Sequence, residues 1–243
     1  ERAGIWLPEF ASPPGFRAHA GSGLLEARGL DIGRRGQIPV RTGIDLTLDA
    51  GDFVSITGSN GSGKSTLALT LGGLLAPRGG ELIATDTLAR GVGPAPIRWT
   101  SRQLHSRIGN VFQTPAHQIV RATVLDATTA GLRSRDRDQA VDVMLERMAL
   151  TSHENVNPFA LSGGQQRRLS VATALIAQPQ LVILDEPTFG QDAHTWRELV
   201  AVMGELCADG RAVVCMTHDA HLIAASGREI ALEKTHADVG ESA

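Results

Sequence analysis

The chemistry this chain can perform is written most densely in Gly58-Ser59-Asn60-Gly61-Ser62-Gly63-Lys64-Ser65-Thr66. The pattern G-x-x-x-x-G-K-[ST] suits a loop whose backbone N–H groups turn inward around a phosphate. Its glycines permit the curl, and a following helix adds the positive end of its dipole. Lys64 supplies a mobile point charge for the β- and γ-phosphates, and the Ser65 hydroxyl is placed to ligate Mg2+. A second cluster ends the apolar run Leu181-Val182-Ile183-Leu184 with Asp185-Glu186-Pro187-Thr188. A buried strand ending in Asp185 puts a carboxylate at a sheet edge beside the loop, where it holds Mg2+ through water. Glu186 is then the natural group to polarise an attacking water. Together these residues describe a nucleoside-triphosphate site equipped for hydrolysis.

Those side chains need strands and helices to hold them. From Leu24 onward, short apolar runs alternate with longer helical patterns, which predicts an α/β domain. Strands are expected at Leu24–Arg28, Ile44–Leu48, Phe53–Thr57, Ile108–Phe112, Leu181–Leu184, Ala212–Met216 and Glu229–Leu232. The runs at 53–57, 181–184 and 212–216 are almost wholly apolar, as in strands buried on both faces of a parallel sheet. Helices are expected at Lys64–Gly72, Val124–Gly131, Asp136–Met148, Ser162–Ala177 and Ala193–Ala208. The helix-rich stretch 114–177 reads as a subdomain inserted between two parts of the sheet. Residues 1–23, with Pro8, Pro13, Pro14 and no regular period, read as a linker or N-terminal arm. The chain begins with Glu1 instead of Met, as expected of a processed or excised piece.

Composition narrows the partners. Of 23 Lys and Arg residues only Lys64 and Lys234 are lysines, so a lysine inside the glycine-rich loop stands out. The formal net charge of −3 speaks against a broad basic footprint, and no nucleic-acid partner is expected. Cys207 and Cys215 are too few for a disulfide framework or a zinc cluster, which points to a reducing compartment. No apolar stretch approaches the roughly 18–20 residues that span a bilayer. The segment containing Glu1 and Glu9 has no secretory pattern. A role at a membrane would therefore require a partner.

Just upstream of the Asp-Glu strand, Leu161-Ser162-Gly163-Gly164-Gln165-Gln166-Arg167-Arg168 resembles the signature motif of ATP-binding cassette (ABC) ATPases. Ser162 followed by two glycines opens a helix whose N-terminus and hydroxyl can receive a phosphate. A second phosphate receptor so far from the first fits a head-to-tail dimer. In it the γ-phosphate would lie between the loop of one subunit and the signature helix of the other. The resemblance covers residues 24–240 and implies further roles. Gln113, in Val111-Phe112-Gln113, resembles the glutamine that touches Mg2+ and the attacking water. His218, in Thr217-His218-Asp219, resembles the switch histidine at the γ-phosphate. In Phe189-Gly190-Gln191-Asp192 the family's aspartate is retained as Asp192, while Gln191 stands where an apolar residue is usual. Counting back from Gly58, the adenine-stacking aromatic should fall near Ile32–Arg35. Arg34 takes that slot, and a guanidinium also stacks on a purine. Weak discrimination is expected, with ATP and GTP binding within roughly tenfold of each other.

The resemblance implies a P-loop NTPase (RecA-like) core with an antiparallel β edge and an inserted helical subdomain. The cofactors implied are ATP and Mg2+. The partners implied are a second cassette (homodimer, heterodimer or fused chain) and a transmembrane coupling subunit, with the chain peripheral on the cytoplasmic face. More finely, Gln113-Thr-Pro-Ala-His-Gln118 and the residues on to Asp126 are similar to the segment that faces the coupling protein in energy-coupling-factor importers of vitamins, cobalt and nickel. The tract Pro187–Asp192 is similar to the second cassette of two-cassette ATPases, which would make residues 1–23 an inter-cassette linker. The alternative within the family is a non-transport ATPase acting on DNA or ribosomes. The long coiled-coil insertion and the basic linker of those types are not visible in this chain.

Overall fold

A computed structural model describes residues 21–115, 118, 121–130, 132 and 137–232. The chain runs β1 (Gly23–Ile32), β2 (Arg41–Asp49), β3 (Phe53–Thr57), α1 (Lys64–Leu71), β4 (Gly79–Ala84), α2 (Asp86–Ala89), α3 (Ser101–His105) and β5 (Ile108–Val111). It continues through α4 (Val124–Thr129), α5 (Arg137–Arg147), α6 (Gly163–Leu175), β6 (Leu181–Asp185), α7 (Ala193–Ala208), β7 (Ala212–Met216), α8 (Ala220–Ala225) and β8 (Arg228–Ala231). Two sheets result: a parallel one in the order β5-β6-β7-β3-β8 and an antiparallel one in the order β2-β1-β4.

Side-chain alternation explains why the central strands read as continuous apolar runs. Leu181, Ile183, Ala212, Val214 and Met216 share a core with Val54, Ile56, Leu67 and Leu71, which Leu25, Leu30 and Leu48 of the antiparallel sheet complete. Val182, Leu184, Val213 and Cys215 enter a second core with Val124, Leu145, Leu169, Leu199 and Met203 from α4 to α7. The parallel sheet therefore lies between two apolar layers.

The α/β core and its antiparallel edge are as expected, with differences at the margins. β1 extends to Ile32 through register shifts that flank Gly29, whose φ of 52° is a backbone state glycine adopts without strain. The strand at Ile108 stops at Val111, one residue before Phe112. β4 was not foreseen because Gly79 and Gly80 open it, and α2, α3 and α8 are too short to show a helical period. Between β5 and β6 the described residues form α4, α5, α6 and two 3-10 turns, Thr151–His153 and Pro158–Ala160, with no strand. Residues 1–20 of the arm expected over 1–23, four residues of the stretch after Gln113 and the start of the helix expected at Asp136 lie outside the described residues, and Gly23 already opens β1. Among the described residues no helix is long and apolar enough to cross a membrane.

One consequence of the strand order matters most. β3, β7, β6 and β5 are successive neighbours and run parallel, so the loops leaving their carboxyl ends stand side by side, where ligands of open α/β sheets bind.

Candidate active site

The loop from β3 to α1 closes on itself. Gly58 has φ 147°, and a Cβ there would lie 2.7 Å from both Leu232 O and Ser62 Oγ, so only glycine fits. Gly63 caps α1 at φ 97°, a left-handed conformation that turns the chain into the helix. Ser59, Asn60 and Gly61 form an exposed rim, and Ser62 N–H donates to Ser59 O at 3.1 Å. Ser62 Oγ is buried without a hydrogen-bond partner. Lys64 is 8% exposed, and its Nζ donates to Gly58 O (2.7 Å) and Ser59 O (3.1 Å). Burial pushes the ammonium below its ordinary range, opposed by the charges of Glu186 and Asp185. Thr66, one turn into α1, accepts from Thr70 Oγ1 through its carbonyl at 2.8 Å.

The neighbouring strands bring the acidic residues to this loop. Asp185 ends β6, is 6% exposed, and lies beside the Ser65 hydroxyl, which favours its charged form. Its carboxyl is pushed up by burial, against the pull of Ser65, Lys64 and Arg167. Glu186 follows in a left-handed conformation (φ 52°), a strained state for a residue with a side chain and one that collects at functional sites. Its backbone N–H donates to Met216 O of β7 at 2.9 Å, which fixes where the strained residue sits. Its carboxyl is also pushed up, chiefly by burial, with His218 opposing and Asp185 adding. His218 Nε2 lies 3.9 Å from Glu186 Oε1, and the histidine side chain is 48% exposed. Gln113 is exposed just beyond β5, at the same edge of the sheet. Glu186, Asp185, Lys64, Ser65 and His218 are therefore assembled in one place.

Three further residues brace this assembly: Arg167 and Asp219, to which the sequence assigned no role, and Gln118, expected only as part of the segment facing a coupling partner. Arg167 of α6 is 7% exposed, and its guanidinium donates to the Glu186 carbonyl and, at 3.1 Å, to the Gln113 carbonyl. It ties the β5 loop to the β6 loop. Asp219 accepts from Thr188 Oγ1 (2.9 Å) and Trp196 Nε1 (2.6 Å), and it caps α8 through the N–H groups of His221 and Leu222. That fixes the turn carrying His218 against the loop that follows Glu186. Gln118 accepts from Phe112 N–H at 3.0 Å and donates to Asn110 O, folding the segment after Gln113 back onto β5. The abundance of arginine hid the first. The second was visible only as the residue after His218.

Other expected residues lie apart from this cluster. Ser162 caps α6, and Gly163, Gly164 and Gln165 form its first turn; none has a described hydrogen bond to residues 58–66. Asp192 caps α7, accepting from His194 N–H, Thr195 N–H and Thr195 Oγ1. Those bonds hold its carboxyl below the usual range. Arg34 is exposed on the turn between β1 and β2. Ile32, Val40 and Arg41 lie closest around Gly63, and Arg41 Nε donates to Ser62 O at 3.0 Å.

The site fits the groups it was expected to hold. Inward-curling glycines, a buried orphan hydroxyl at Ser62 and a buried ammonium suit a phosphate. A hydroxyl beside a buried carboxylate, Ser65 and Asp185, is the hard oxygen donor set that Mg2+ prefers.

Comparison with known proteins agrees with this geometry. Residues 42–189 match the family model described as ABC transporter. The chain is 36% identical over 208 residues to the putative HMP/thiamine import ATP-binding protein YkoD of Bacillus subtilis (strain 168), covering 85% of this chain and 37% of that protein. It is 36% identical over 198 residues to the pyoverdine export ATP-binding/permease protein PvdT of Pseudomonas fluorescens (strain Pf0-1), covering 80% and 30%. It thus spans 37% and 30% of these two relatives. It is 33% identical over 203 residues to the energy-coupling factor transporter ATP-binding protein EcfA1 of Halalkalibacterium halodurans, covering 81% and 70%. The fold superposes on the dimeric post-hydrolysis state of the ATP-binding cassette MJ0796 bound to ADP and Pi, with TM-score 0.75, 26% identity, and 87% and 96% coverage.

Proposed function

The chain belongs to the ABC transporter family as an ATP-hydrolysing cassette, and on that premise we propose that it drives import through a separate transmembrane partner of the energy-coupling-factor type. The observation that carries the hydrolytic part is the meeting of Lys64, Asp185, Glu186 and His218 at adjoining strand ends. The similarity to EcfA1 and to an import protein supports the finer reading, as does the segment Gln113–Asp126. The similarity to an export protein, PvdT, favours the other direction of transport as the second reading. The domain is taken to cover residues 24–243, with 114–177 as its helical subdomain and the coupling surface near Gln118–Val124, at the cytoplasmic face of the membrane.

In this reading the backbone N–H groups of Gly58–Thr66 and the Lys64 ammonium hold the β- and γ-phosphates. Ser65 and Asp185, with Gln113, would hold Mg2+, which would supply positive charge to offset the negative charge of the phosphates. Glu186 accepts a proton from the attacking water, and its raised affinity for protons makes it a stronger base than an exposed glutamate. Water's oxygen forms the new bond to the γ-phosphorus as the bond to the β–γ bridging oxygen breaks, releasing ADP and phosphate. His218, beside Glu186, orients the γ-phosphate. The N-terminus of α6 with Ser162, Gly163, Gly164 and Gln165 completes the site from a second cassette; among the described residues its hydrogen bonds are to its own cap and not to residues 58–66. Asp192 keeps the intervening loop in place by capping α7.

Glu186→Gln is the test. The variant should bind MgATP, lose turnover and accumulate as a dimer. Turnover close to that of the parent would remove Glu186 from its role. Retention by a membrane protein of the importer type, against an exporter-type partner, decides the direction of transport.

A further inference from the structure

α6 opens with a reciprocal cap whose consequences reach beyond its own helix. Gln165 N–H donates to Ser162 Oγ at 3.3 Å, and Ser162 N–H donates to Gln165 Oε1 at 2.9 Å. The second bond fixes the orientation of the amide. With Oε1 on Ser162, Gln165 Nε2 is the atom 3.0 Å from His153 Nε2. An amide nitrogen only donates, so His153 Nε2 must accept and the ring proton must sit on Nδ1. Nδ1 is 2.9 Å from Ser152 Oγ, which accepts that proton. The network is satisfied only by neutral His153 in this one tautomer. Ser162 Oγ, already accepting from Gln165, keeps its own proton to donate outward.

We propose that His153 is a positioning residue for the signature helix: in its neutral form it locks the Gln165 amide, which holds Ser162 ready for the phosphate supplied by a second cassette, and protonation of the ring releases that lock. The proposal rests on reading the α6 N-terminus as a phosphate receptor. Protonated His153 presents an N–H to the Gln165 N–H, two donors face to face. Turning the amide over brings Oε1 to the ring but sets Nε2 against Ser162 N–H. Either way one bond of the cap or its brace is lost.

The surroundings do not offset this. The 3-10 turn carrying His153 packs against α5, and the chain just beyond it hydrogen-bonds α4 through Glu154 O and Val156 O. The charged groups with described side chains on these elements are Asp126 of α4, Asp142, Glu146 and Arg147 of α5, and Glu154, with Arg167 and Arg168 on α6. Arg147 pairs with Glu205 at 2.6 Å, Arg168 donates to Thr195, and Arg167 serves Glu186 and Gln113. Among the described residues no carboxylate lies within ion-pair distance of the His153 ring.

The experiment measures the MgATP concentration that dimerises the full chain carrying Glu186→Gln, by sedimentation velocity at about pH 8 and about pH 5.5. That background removes turnover and the titration of Glu186 from the readout. The His153 chain should need about fivefold more ATP at the lower pH, the loss of one modest hydrogen bond. His153→Gln keeps an acceptor that does not titrate, so between the two pH values its ATP requirement should rise about fivefold less than that of the His153 chain. His153→Lys, a permanent donor, should need the higher concentration at both. A His153→Gln chain that keeps the parent's pH dependence, or a His153→Lys chain that dimerises as readily as the parent at pH 8, overturns the proposal. If the Glu186→Gln chain forms no ATP-dependent dimer at either pH, the dimer reading itself fails and this one with it.

Discussion

Replacing Arg167 by methionine separates positioning of the catalytic glutamate from nucleotide binding. Methionine keeps an apolar stem of similar length in a site where the arginine is 7% exposed, but it removes both donors. The Gln113 carbonyl belongs to an exposed residue and water can serve it. The Glu186 carbonyl loses a charge-assisted bond of about 1.5–3 kcal/mol. That bond restrains a residue at φ 52°, a conformation that costs on the order of 1–3 kcal/mol, so Glu186 relaxes once it is gone. Relief of the guanidinium's own burial offsets part of the loss, since that burial already lowers its pKa. The net destabilisation should be about 1–2 kcal/mol, or roughly 2–4 °C in Tm per kcal/mol at this chain length. A displacement of the base by about 1 Å lowers turnover by about 100-fold. Lys64 and its loop are untouched, so ATP affinity should stay within about threefold. Calorimetry, fluorescent-nucleotide titration and phosphate release measure the three effects. Arg167→Lys, which reaches one carbonyl but lacks the planar fork, should fall between parent and Met variant. A folded Arg167→Met chain turning over within about threefold of the parent would refute the positioning role.

The pKa directions carry their own expectations. Burial raises the Glu186 pKa, so the folded protein binds that proton more tightly than the unfolded chain does. The glutamate's charge therefore lowers stability as pH rises through its raised value. Glu186→Gln should raise Tm of the nucleotide-free chain by roughly 2–4 °C at neutral pH; an unchanged or lower Tm would mean that the charge is not strained. For the same reason the acid limb of kcat/KM, which reports the free enzyme, should lie above the ordinary glutamate range, and a profile of kcat/KM flat down to that range would argue against Glu186 as the base. Competition titrations should show ATP and GTP binding within about tenfold, equivalent to about 1.4 kcal/mol, because no aromatic side chain occupies Ile32–Arg35. A strong preference for ATP would assign the purine to other residues.

Much of the site was legible because its chemistry is local in sequence. Gly58 to Thr66 carry their own turn geometry, and Asp185 and Glu186 announce themselves as acids ending a wholly apolar strand. The bracing residues were not legible for the opposite reason. Arg167 acts on partners 54 and 19 residues away, in a chain where arginine is common. Asp219 matters through Thr188 and Trp196, which only the packing of α7 against the sheet brings within reach. Spacing brought the expected base-stacking slot to Ile32–Arg35, and Ile32 does approach Gly63, but the approach of Val40 and Arg41 to the same glycine depends on the irregular turn between β1 and β2, which spacing does not describe. The short β4, α2, α3 and α8 were lost because elements of a few residues are stabilised by neighbours and caps, which a periodicity cannot register.

The most direct test of the central claim, that each hydrolytic site combines the P-loop of one chain with the signature helix of another, is complementation between two inactive variants. Lys64→Ala removes the phosphate-binding ammonium, and Ser162→Arg blocks the α6 terminus. Each alone should be inactive, because every site in its dimer carries the defect. Mixed in equal amounts, half of the dimers hold one variant of each kind, and one of their two sites is intact. ATPase activity should therefore return to about a quarter of the parent level if the sites turn over independently. A mixture as inactive as its components would contradict the shared site.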